Sequence, residues 1–502
     1  MISLPFIRFS SLTYYRIFYK ATGLSPSGIF FSNGGRRRPA PAESGKEIGM
    51  AFMFKGFGKG GTFPRGVHPP ERKTFSEDAP VEVMPSPARV VIPLLQHVGA
   101  PCKPVVKAKD VVAFGDRIAE GGGFVSAGLH APIAGKVMKT GVTTLANGRH
   151  VPAIPIKADG DQLEGRALWN EIFGGEWPRD ADGYDPEEIV AAIREAGIVG
   201  LGGAAFPAHV KYAPNAEKPI DTVLINGCEC EPYLTSDYRV MLDAPDPVIA
   251  GALLAGRATG ARKVVIGIED NKPEALETLR RVAAGTGIEV VALRTKYPQG
   301  SEKQLILAAI GRKVPLGGLP LDVGVAVSNV GTAAAIARAV VRKGPLTHRV
   351  ISVTGAGIRS PKNLLAPVGI SMGELVDFCG GFTEDAVRMV AGGPMMGFSF
   401  TDPATPATKG TSGITVLTSA DVRKAVETNC VRCGRCVDVC PMNLVPSKLA
   451  LASRHEDIDL AKQYNIMACF ECGSCAYVCP ASLPLVQLVR TGKAVVIAES
   501  KK

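Results

Sequence analysis

Eight of the twelve cysteines lie near the C-terminus, in two copies of the spacing Cys-x2-Cys-x2-Cys-x3-Cys-Pro. The first copy contains Cys430, Cys433, Cys436 and Cys440, and the second contains Cys469, Cys472, Cys475 and Cys479. A four-iron cluster binds four thiolates, and in proteins with two such clusters the fourth cysteine of each copy binds the other cluster. We therefore predict two 4Fe-4S clusters, one on Cys430, Cys433, Cys436 and Cys479 and one on Cys469, Cys472, Cys475 and Cys440.

Zinc and disulfide bonds are the competing uses of these cysteines. A structural zinc site pairs two Cys-x2-4-Cys motifs and takes four ligands, whereas this chain has eight cysteines with a different spacing. A disulfide framework is typical of small secreted domains, whereas this chain has 502 residues and enough apolar material for several cores. Among the scattered cysteines, Cys228 and Cys230 lack two further metal ligands, and Cys102 and Cys379 are expected to be buried thiols.

Two loops in the middle of the chain have residues suited to a nucleotide. Gly200, Gly202 and Gly203 remove side chains where a flat ring or a phosphate could approach the backbone, and Lys211 could neutralise that phosphate. The segment 226–232 follows a predicted buried strand, where parallel sheets bind ligands, and its glutamates could accept hydrogen bonds from ribose hydroxyls. The alternatives are an ordinary glycine turn and a solvated loop. No Gly-x-Gly-x-x-Gly fingerprint joins a strand to a helix here.

An α/β core is predicted to position these loops. Between Thr222 and about Val341, short apolar runs alternate with helical patterns, which predicts a largely parallel sheet. A helix is predicted from Asp185, which can cap it, with Pro186 in its first turn. After the core, a small β-grasp-like module is predicted, and two helices are predicted between the cysteine motifs, at 446–454 and 457–465.

A β domain of the barrel-sandwich type is predicted before the core, from short alternating runs over residues 90–160. The phrase 131–137 is similar to the half-repeat of biotinyl and lipoyl domains. Lys139 is nevertheless not expected to be a modified carrier lysine. The pair Gly115-Asp116 comes before this phrase, and Lys139 continues a strand instead of lying in a hairpin.

Charge and hydropathy exclude two classes of protein. Residues 1–60 hold nine Lys/Arg and two Asp/Glu, so +7 of the net charge of +10 lies there. The remainder is nearly neutral, and a uniformly basic nucleic-acid-binding surface is not indicated. No stretch approaches the ~20 apolar residues of a membrane helix. We therefore expect the chain to be soluble, or to be held at a membrane only through partners.

The first 49 residues differ from the rest, with aromatic and basic residues and no acidic residue before Glu43. They lack the apolar core and cleavage site of a secretory signal. A transit peptide would fit, and so would a translation start placed too far upstream, with Met50 or Met53 as the true start. In either case the segment is expected to be disordered.

Four loops of the predicted core resemble, in the same order, loops of the flavin-bearing subunit of respiratory complex I. They are Gly200 to Lys211, Asn226 to Pro232, Tyr297 to Glu302, and Asn329 to Thr332. Together with the phrase Gly66-Val67-His68-Pro69-Pro70 and the cysteine motifs, they resemble the C-subunit family of Rnf electron-transport complexes, which are ferredoxin:NAD oxidoreductases. This resemblance runs from about Met53 to the C-terminus. Three positions depart from the complex I pattern, namely Leu201, Cys228 and Ser301.

The resemblance implies non-covalent FMN, because a flavin can divide the two electrons of a hydride between one-electron clusters. No general acid or base is needed, so no catalytic side chain is predicted. The resemblance implies that Phe206 stacks on the nucleotide and that Glu231 and Glu302 meet its hydroxyls. The implied cofactor-binding residues are Gly200, Gly202, Gly203, Phe206, Lys211, Asn226, Glu229, Glu231, Gly300, Glu302, Asn329 and Thr332.

The expected fold class is therefore multidomain α/β, with a barrel-sandwich β domain, an α/β flavin/NADH-binding core, a β-grasp-like module and a helical two-cluster ferredoxin domain. The expected boundaries are 1–52 for a disordered or misannotated extension, 53–180 for the barrel-sandwich domain, 181–345 for the FMN/NADH-binding domain, 346–400 for the β-grasp-like module, 401–418 for a linker and 419–502 for the ferredoxin domain.

The function implied by the resemblance is that of a peripheral subunit on the cytoplasmic face of the bacterial inner membrane. It would pass electrons between NAD(H), FMN and two 4Fe-4S clusters while partner subunits transport ions. Expected partners are the other subunits of the complex, a ferredoxin-like electron carrier and NADH, with no nucleic acid. Two alternatives stay open: a soluble flavin/iron–sulfur reductase such as a microcompartment cobalamin reductase, and a non-enzymatic cluster-bearing adaptor.

Overall fold

A parallel sheet forms the centre of the computed structural model, which describes residues 61–213, 217–422 and 425–500. The prediction for residues 1–52 lies outside these ranges. In sheet order the strands are Glu289–Leu293, Lys263–Glu269, Thr222–Asn226 and Val325–Asn329. The chain starts at Thr222–Asn226, adds two strands on one side and then crosses to the other. This reversal creates a switch point between Thr222–Asn226 and Val325–Asn329, where open parallel sheets bind ligands.

Both faces of this sheet are covered. Along the strand Thr222–Asn226, Val223 and Ile225 enter one apolar core and Leu224 enters another. Burial on both faces explains why its sequence is a continuous apolar run. The helices in and before this part of the chain are Gly165–Ile172, Pro186–Glu195, Ala208–Tyr212, Ser236–Asp243, Pro245–Thr259, Pro273–Ala283, Glu302–Ile310 and Val330–Arg342, with a 3-10 turn at Pro320–Val323.

Local sequence sets helix ends and helix packing around the switch point. Asp185 caps the helix Pro186–Glu195, as predicted, by accepting hydrogen bonds from the amides of Glu187 and Glu188. The helix Pro245–Thr259 packs closely on Val330–Arg342 because Gly251 has no side chain; a methyl group there would overlap the carbonyl of Ala333. This contact fixes the helix whose first turn borders the switch point.

The predicted barrel-sandwich domain consists of two small sheets that share one apolar core. Lys139 lies between the strands Gly135–Val137 and Gly141–Thr144. Both strands pair antiparallel with successive parts of His150–Ala158, so the chain continues in one direction through Lys139, which is not at a hairpin tip. The strands are Arg89–Pro93, Lys103–Pro104, Val111–Val112, Arg117–Glu120, Leu129–His130, Gly135–Val137, Gly141–Thr144 and His150–Ala158.

A mixed sheet forms the small β module and corrects two predicted boundaries. Its strands, in order, are Val81–Val83, Lys362–Pro367, His348–Thr354, Gly413–Thr418, Ala386–Ala391 and Phe398–Phe400. Val81–Val83, predicted within the barrel-sandwich domain, pairs with Lys362–Pro367. Gly413–Thr418, predicted within the linker 401–418, is a fully buried strand between two others. The preceding Pro and Gly residues indicate a linker, but Ile-Thr-Val-Leu-Thr is a typical strand sequence. The helix Met372–Phe378 packs on this sheet.

Helices dominate the cysteine-rich domain, as predicted. The expected helices between the motifs are found at Pro446–Arg454 and Ile458–Gln463, the second capped by Asp457. The others are Arg435–Asp438, Ser474–Tyr477 and Leu485–Glu499, with a 3-10 turn at Ile466–Ala468. In the part of the chain that the structure describes, no helix combines the length and the apolar character that crossing a membrane requires.

Residues 61–80 form an N-terminal strap that crosses several domains and includes the 3-10 turn Lys73–Phe75. Gly61 and Val67 make bridges to Leu293 and Tyr297, at the edge of the central sheet. The Gly66 amide donates to the carbonyl of Val439 in the cysteine-rich domain, at 3.0 Å. The first described residues of the predicted domain 53–180 therefore also border the central sheet and the cysteine-rich domain.

Candidate functional site

Two asparagines end the strands that flank the switch point. Asn226 and Asn329 are register partners at the carboxyl ends of Thr222–Asn226 and Val325–Asn329. Asn329 Oδ1 accepts from the amides of Gly331 and Thr332, which caps the helix Val330–Arg342. Asn226 Nδ2 donates to the carbonyl of Gly300 at 2.7 Å. The fold thus brings three of the four predicted loops to one point.

The glycine loop supplies the fourth side. Its base is closed by the Gly200 amide, which donates to the carbonyl of Phe206 at 2.8 Å. Thr332 Oγ1 accepts from the amide of Leu201 at 2.8 Å, which ties the loop to the first turn of the neighbouring helix. Gly202 and Gly203 are exposed, and no heavy atom lies within 4 Å of a side chain placed at Gly203. The loop therefore presents an open backbone face.

Lys211 lies at the mouth of this cleft. Its Nζ forms an ion pair with Glu302 Oε1 at 2.6 Å and also donates to the carbonyl of Val327 at 3.2 Å. The ammonium group is 5.9 Å from the centre of the Phe206 ring. The structure thus brings a cation, an acidic residue and an aromatic ring together, as the predicted roles of Lys211, Glu302 and Phe206 require; the roles themselves stay predictions.

Glu229 has a structural task in the chain itself. Its carboxylate accepts from the hydroxyl of Ser236 and from the amides of Asp237 and Tyr238, at the start of the helix Ser236–Asp243. The pKa of Asp237 is raised to about 7, mainly by burial and to a smaller extent by the negative charge of Glu229. Asp237 in turn accepts from Asn329 Nδ2 at 2.6 Å. A contact of Glu229 with flavin stays a prediction; the contact observed is a helix cap.

Glu231 lies deeper, between the small β module and the loop 297–302, which is called the nucleotide loop below. Its Oε1 accepts from the amides of Met395 and Met396, at 2.7 and 2.9 Å. Burial raises the pKa of Glu231, although those amides oppose the shift. Lys73 of the N-terminal strap donates to the carbonyls of Glu229, Glu231 and Leu234, at 2.7, 3.0 and 2.6 Å. The strap therefore holds the backbone of the loop that contains both glutamates.

The three departures from the complex I pattern have structural uses. Leu201 is buried, and its carbonyl accepts from Arg349. Cys228 is also buried, with its Sγ directed to the carbonyl of Gly267. Ser301 precedes the helix Glu302–Ile310, and its hydroxyl donates to Gln304 Oε1 at 2.7 Å. Each of the three residues therefore makes a contact within the chain itself.

One amide in the nucleotide loop is buried without a hydrogen-bond partner in the described part of the chain. Gln299, between Tyr297 and Gly300 in the nucleotide loop, is fully buried, and within the described residues neither its Nε2 nor its Oε1 has a hydrogen-bond partner. An unpaired buried amide is costly and usually has a ligand-related or other functional reason. The glycine loop, with the exposed Gly202 and Gly203, fits the flat ring of a flavin independently of this amide.

The second cysteine motif and Cys440 surround one cavity. A small cavity is lined by Cys440, Cys469, Cys472 and Cys475 and by apolar side chains such as Leu449 and Val489. Cys440 belongs to the first motif and lies among the cysteines of the second, as predicted for the second cluster. Burial raises the pKa of the Cys469 thiol to about 11 in the chain alone. Four cysteines around one apolar space fit a 4Fe-4S cluster.

The first motif lies at the surface. Cys430 and Cys433 are exposed, whereas Cys479 is buried and packs against Cys436. Among the described residues, no three His, Cys, Asp or Glu side chains are grouped as ligands of a single metal ion.

The nucleotide loop and the second motif touch directly. The Tyr297 hydroxyl donates to the carbonyl of Cys472 at 2.6 Å, and Gln304 Nε2 donates to the carbonyl of Pro441 at 3.3 Å. No motif in the sequence marks Lys73 or Asp237 as a site residue, because their partners are distant in the sequence. Gln299 lies within the predicted loop 297–302 but is not among the predicted site residues.

Four family models match the chain, one for each folded part. They are the Nuo51 FMN-binding domain over residues 193–338, the RnfC barrel sandwich hybrid domain over 61–161, the SLBB domain over 350–399 and the 4Fe-4S dicluster domain over 429–483. These matches confirm the predicted multidomain α/β class, including the small β module and the two-cluster domain.

Curated relatives match over most of the chain. The C subunit of the proton-translocating ferredoxin:NAD(+) oxidoreductase complex of Clostridium ljungdahlii is 46% identical over 407 residues, which is 81% of this chain and 88% of that protein. The C subunit of the Na(+)-translocating complex of Acetobacterium woodii is 42% identical over 445 residues, 88% and 99% of the two chains. A solved NAD+-reducing [NiFe]-hydrogenase is 20% identical with a TM-score of 0.44, covering 63% of this chain and 62% of its own.

Proposed function

Because the chain belongs to the C-subunit family of ion-translocating ferredoxin:NAD oxidoreductase complexes, we propose that it is the component at which NAD(H) exchanges electrons with two 4Fe-4S clusters through FMN. The observation that carries this proposal is the contact between Tyr297, in the nucleotide loop, and Cys472, in the second cysteine motif. One loop borders both the switch point and the cluster cavity. A nucleotide site and an electron-carrying site therefore share a wall.

The chain contributes binding and orientation. Bound FMN supplies the conversion between a two-electron hydride and single electrons. The open backbone of Gly202 and Gly203 gives a flat ring room, and Lys211 offers a cation at the mouth of the cleft. Asn226 and Asn329 hold the adjoining loops through their side-chain amides. Glu231 and Glu302 are proposed to accept hydrogen bonds from hydroxyls of the bound nucleotide.

The two cysteine motifs differ in their exposure to solvent. The second motif faces the nucleotide loop, and Cys430 and Cys433 of the first are exposed. We propose that an external electron carrier of the ferredoxin type, or a partner protein of the complex, approaches the first motif, because a surface site is the one a second protein can reach. Membership of the family supports other subunits as partners and a peripheral position in the complex. A position at the cytoplasmic face of the membrane is part of the same proposal.

Anaerobic purification and reconstitution of the full chain test this function. The expected product contains one flavin and about eight irons per chain. It should oxidise NADH with an artificial one-electron acceptor, and the flavin absorbance should bleach on addition of NADH. Iron without flavin would instead favour the cluster-bearing adaptor. Stoichiometric zinc with little iron would overturn the cluster assignment.

A further inference from the structure

A short loop of the small β module contacts both sites. Residues 393–397, called here the Met395 loop, connect the strands Ala386–Ala391 and Phe398–Phe400. On one side, the amides of Met395 and Met396 donate to Glu231 Oε1. Both amides meet the same oxygen and hold it in place, and the Tyr297 side chain interacts with the same carboxylate.

The other side of the Met395 loop lies against the second cysteine motif. A side chain at Gly473, next to Cys472, would come within 2.6 Å of the carbonyl oxygen of Met395. Arg490, in the last helix, donates to the carbonyl of Met396 at 3.4 Å and to Glu471 Oε2 at 2.7 Å. The backbones of the loop and of the cysteine motif are therefore in direct contact.

Charged residues hold this junction together. Arg490 also lies over the ring of Phe398, 4.6 Å from its centre. Lys493 donates to Glu471 Oε1 at 2.6 Å and to the carbonyl of Cys469 at 2.9 Å. Hydrogen bonds with a charged partner are stronger than neutral ones. The segment 469–473 is thus attached to the last helix and, through Arg490, to the Met395 loop.

We propose that the Met395 loop is a positioning element common to the two sites: it orients the Glu231 carboxylate toward the bound nicotinamide nucleotide while it supports the cysteine segment 469–473. This proposal rests on the proposed function, since it assumes that a nucleotide binds beside Glu231. The small β module is then part of the nucleotide site and not only a docking surface. Gly393, Met395, Met396 and Arg490 act through Glu231 and the cysteine segment and do not themselves touch the reacting atoms.

Gly393 offers a selective test. A methyl group at Gly393 would overlap Cγ of Glu231, and the backbone of Gly393 is not in the left-handed region, so alanine changes the contact without straining the backbone. Gly183 is a matched control, because a side chain there meets no heavy atom within 4 Å and its backbone is also outside the left-handed region.

The experiment measures binding of NAD+ to the reconstituted full chain by calorimetry, together with flavin and iron content. Gly393→Ala should weaken NAD+ binding by about tenfold or more, the effect of losing one charge-assisted hydrogen bond, with flavin and iron at wild-type levels. Gly183→Ala should bind as wild type does. In a Glu231→Ala background, Gly393→Ala should cause no further loss, because the two changes act through one carboxylate.

Arg490→Gln provides a second variant that spares the Glu231 contact itself. Its loss of a positive charge should lower the midpoint potential of the cluster on Cys469, Cys472, Cys475 and Cys440, measured by redox titration with electron paramagnetic resonance. It should also weaken NAD+ binding, and Arg490→Lys should restore part of both. A shift in potential with unchanged NAD+ affinity would overturn the shared role of the loop, as would wild-type affinity in Gly393→Ala. If the wild-type chain itself bound no NAD+, the proposed function would fail instead.

Discussion

Lys211→Ala separates the fold from the flavin site. Lys211 forms an ion pair with Glu302, and the two side chains are 29% and 45% exposed. Such a surface pair contributes about 0–1 kcal/mol to stability, so the free energy of unfolding should change little. A charge-assisted contact with a flavin phosphate is worth roughly 1.5–3 kcal/mol, which corresponds to a loss of about ten- to a hundredfold in flavin affinity.

Flavin titration of the full chain, followed by fluorescence quenching, measures that affinity, and thermal unfolding measures stability. Lys263→Ala is the matched control, because Lys263 is also exposed and pairs with Glu289 at 2.7 Å. Lys263 begins its strand, so it lies at the amino ends of the parallel strands, whereas the switch point lies at their carboxyl ends. If both variants kept wild-type flavin affinity, Lys211 would be only a surface residue. If Lys211→Ala lost its clusters as well, the reasoning from a local contact would be refuted.

Four other substitutions test three separate parts of the site. Cys440→Ser should damage the cluster held by the second motif and Cys479→Ser the cluster held by the first, as seen by electron paramagnetic resonance, because each cysteine lies with the opposite motif. Gln299→Leu should raise the stability of the flavin-free full chain by about 1–3 kcal/mol, since it removes an unpaired buried amide. Asp237→Asn should flatten the pH dependence of stability. The folded chain holds the Asp237 proton more tightly than the unfolded chain, whose pKa is 3.8, so the wild type loses stability as the pH rises from about 4 through about 7.

Each of these changes has its own control or contrary result. Loss of the same cluster in Cys440→Ser and Cys479→Ser would contradict the crossed arrangement. Gln304→Leu is the counterpart of Gln299→Leu, because Gln304 is buried with hydrogen-bond partners and should lose stability instead. Asp237 also faces Glu229, Arg349 and Lys73. An unchanged pH slope in Asp237→Asn would contradict the assignment of this proton to Asp237.

Features coded by neighbouring residues were predictable from the sequence. The two cysteine motifs needed only their spacing, because three thiolates two residues apart reach one cluster without help from the rest of the fold. The helix after Asp185 and the strand Thr222–Asn226 followed from a cap and from an apolar run. The order of the four loops indicated one site, since parallel strands place their carboxyl ends at one edge.

Tertiary structure alone decided which residues complete that site. Lys73 holds carbonyls that are 156–161 residues away in the sequence, and the Met395 loop meets Glu231 across 164 residues. Hydrogen bonds to a backbone amide or carbonyl leave no mark on the partner's residue type, so no motif could reveal them. The strand Gly413–Thr418 was concealed for a related reason: its partners lie elsewhere in the chain, and pairing, not local composition, makes it a strand.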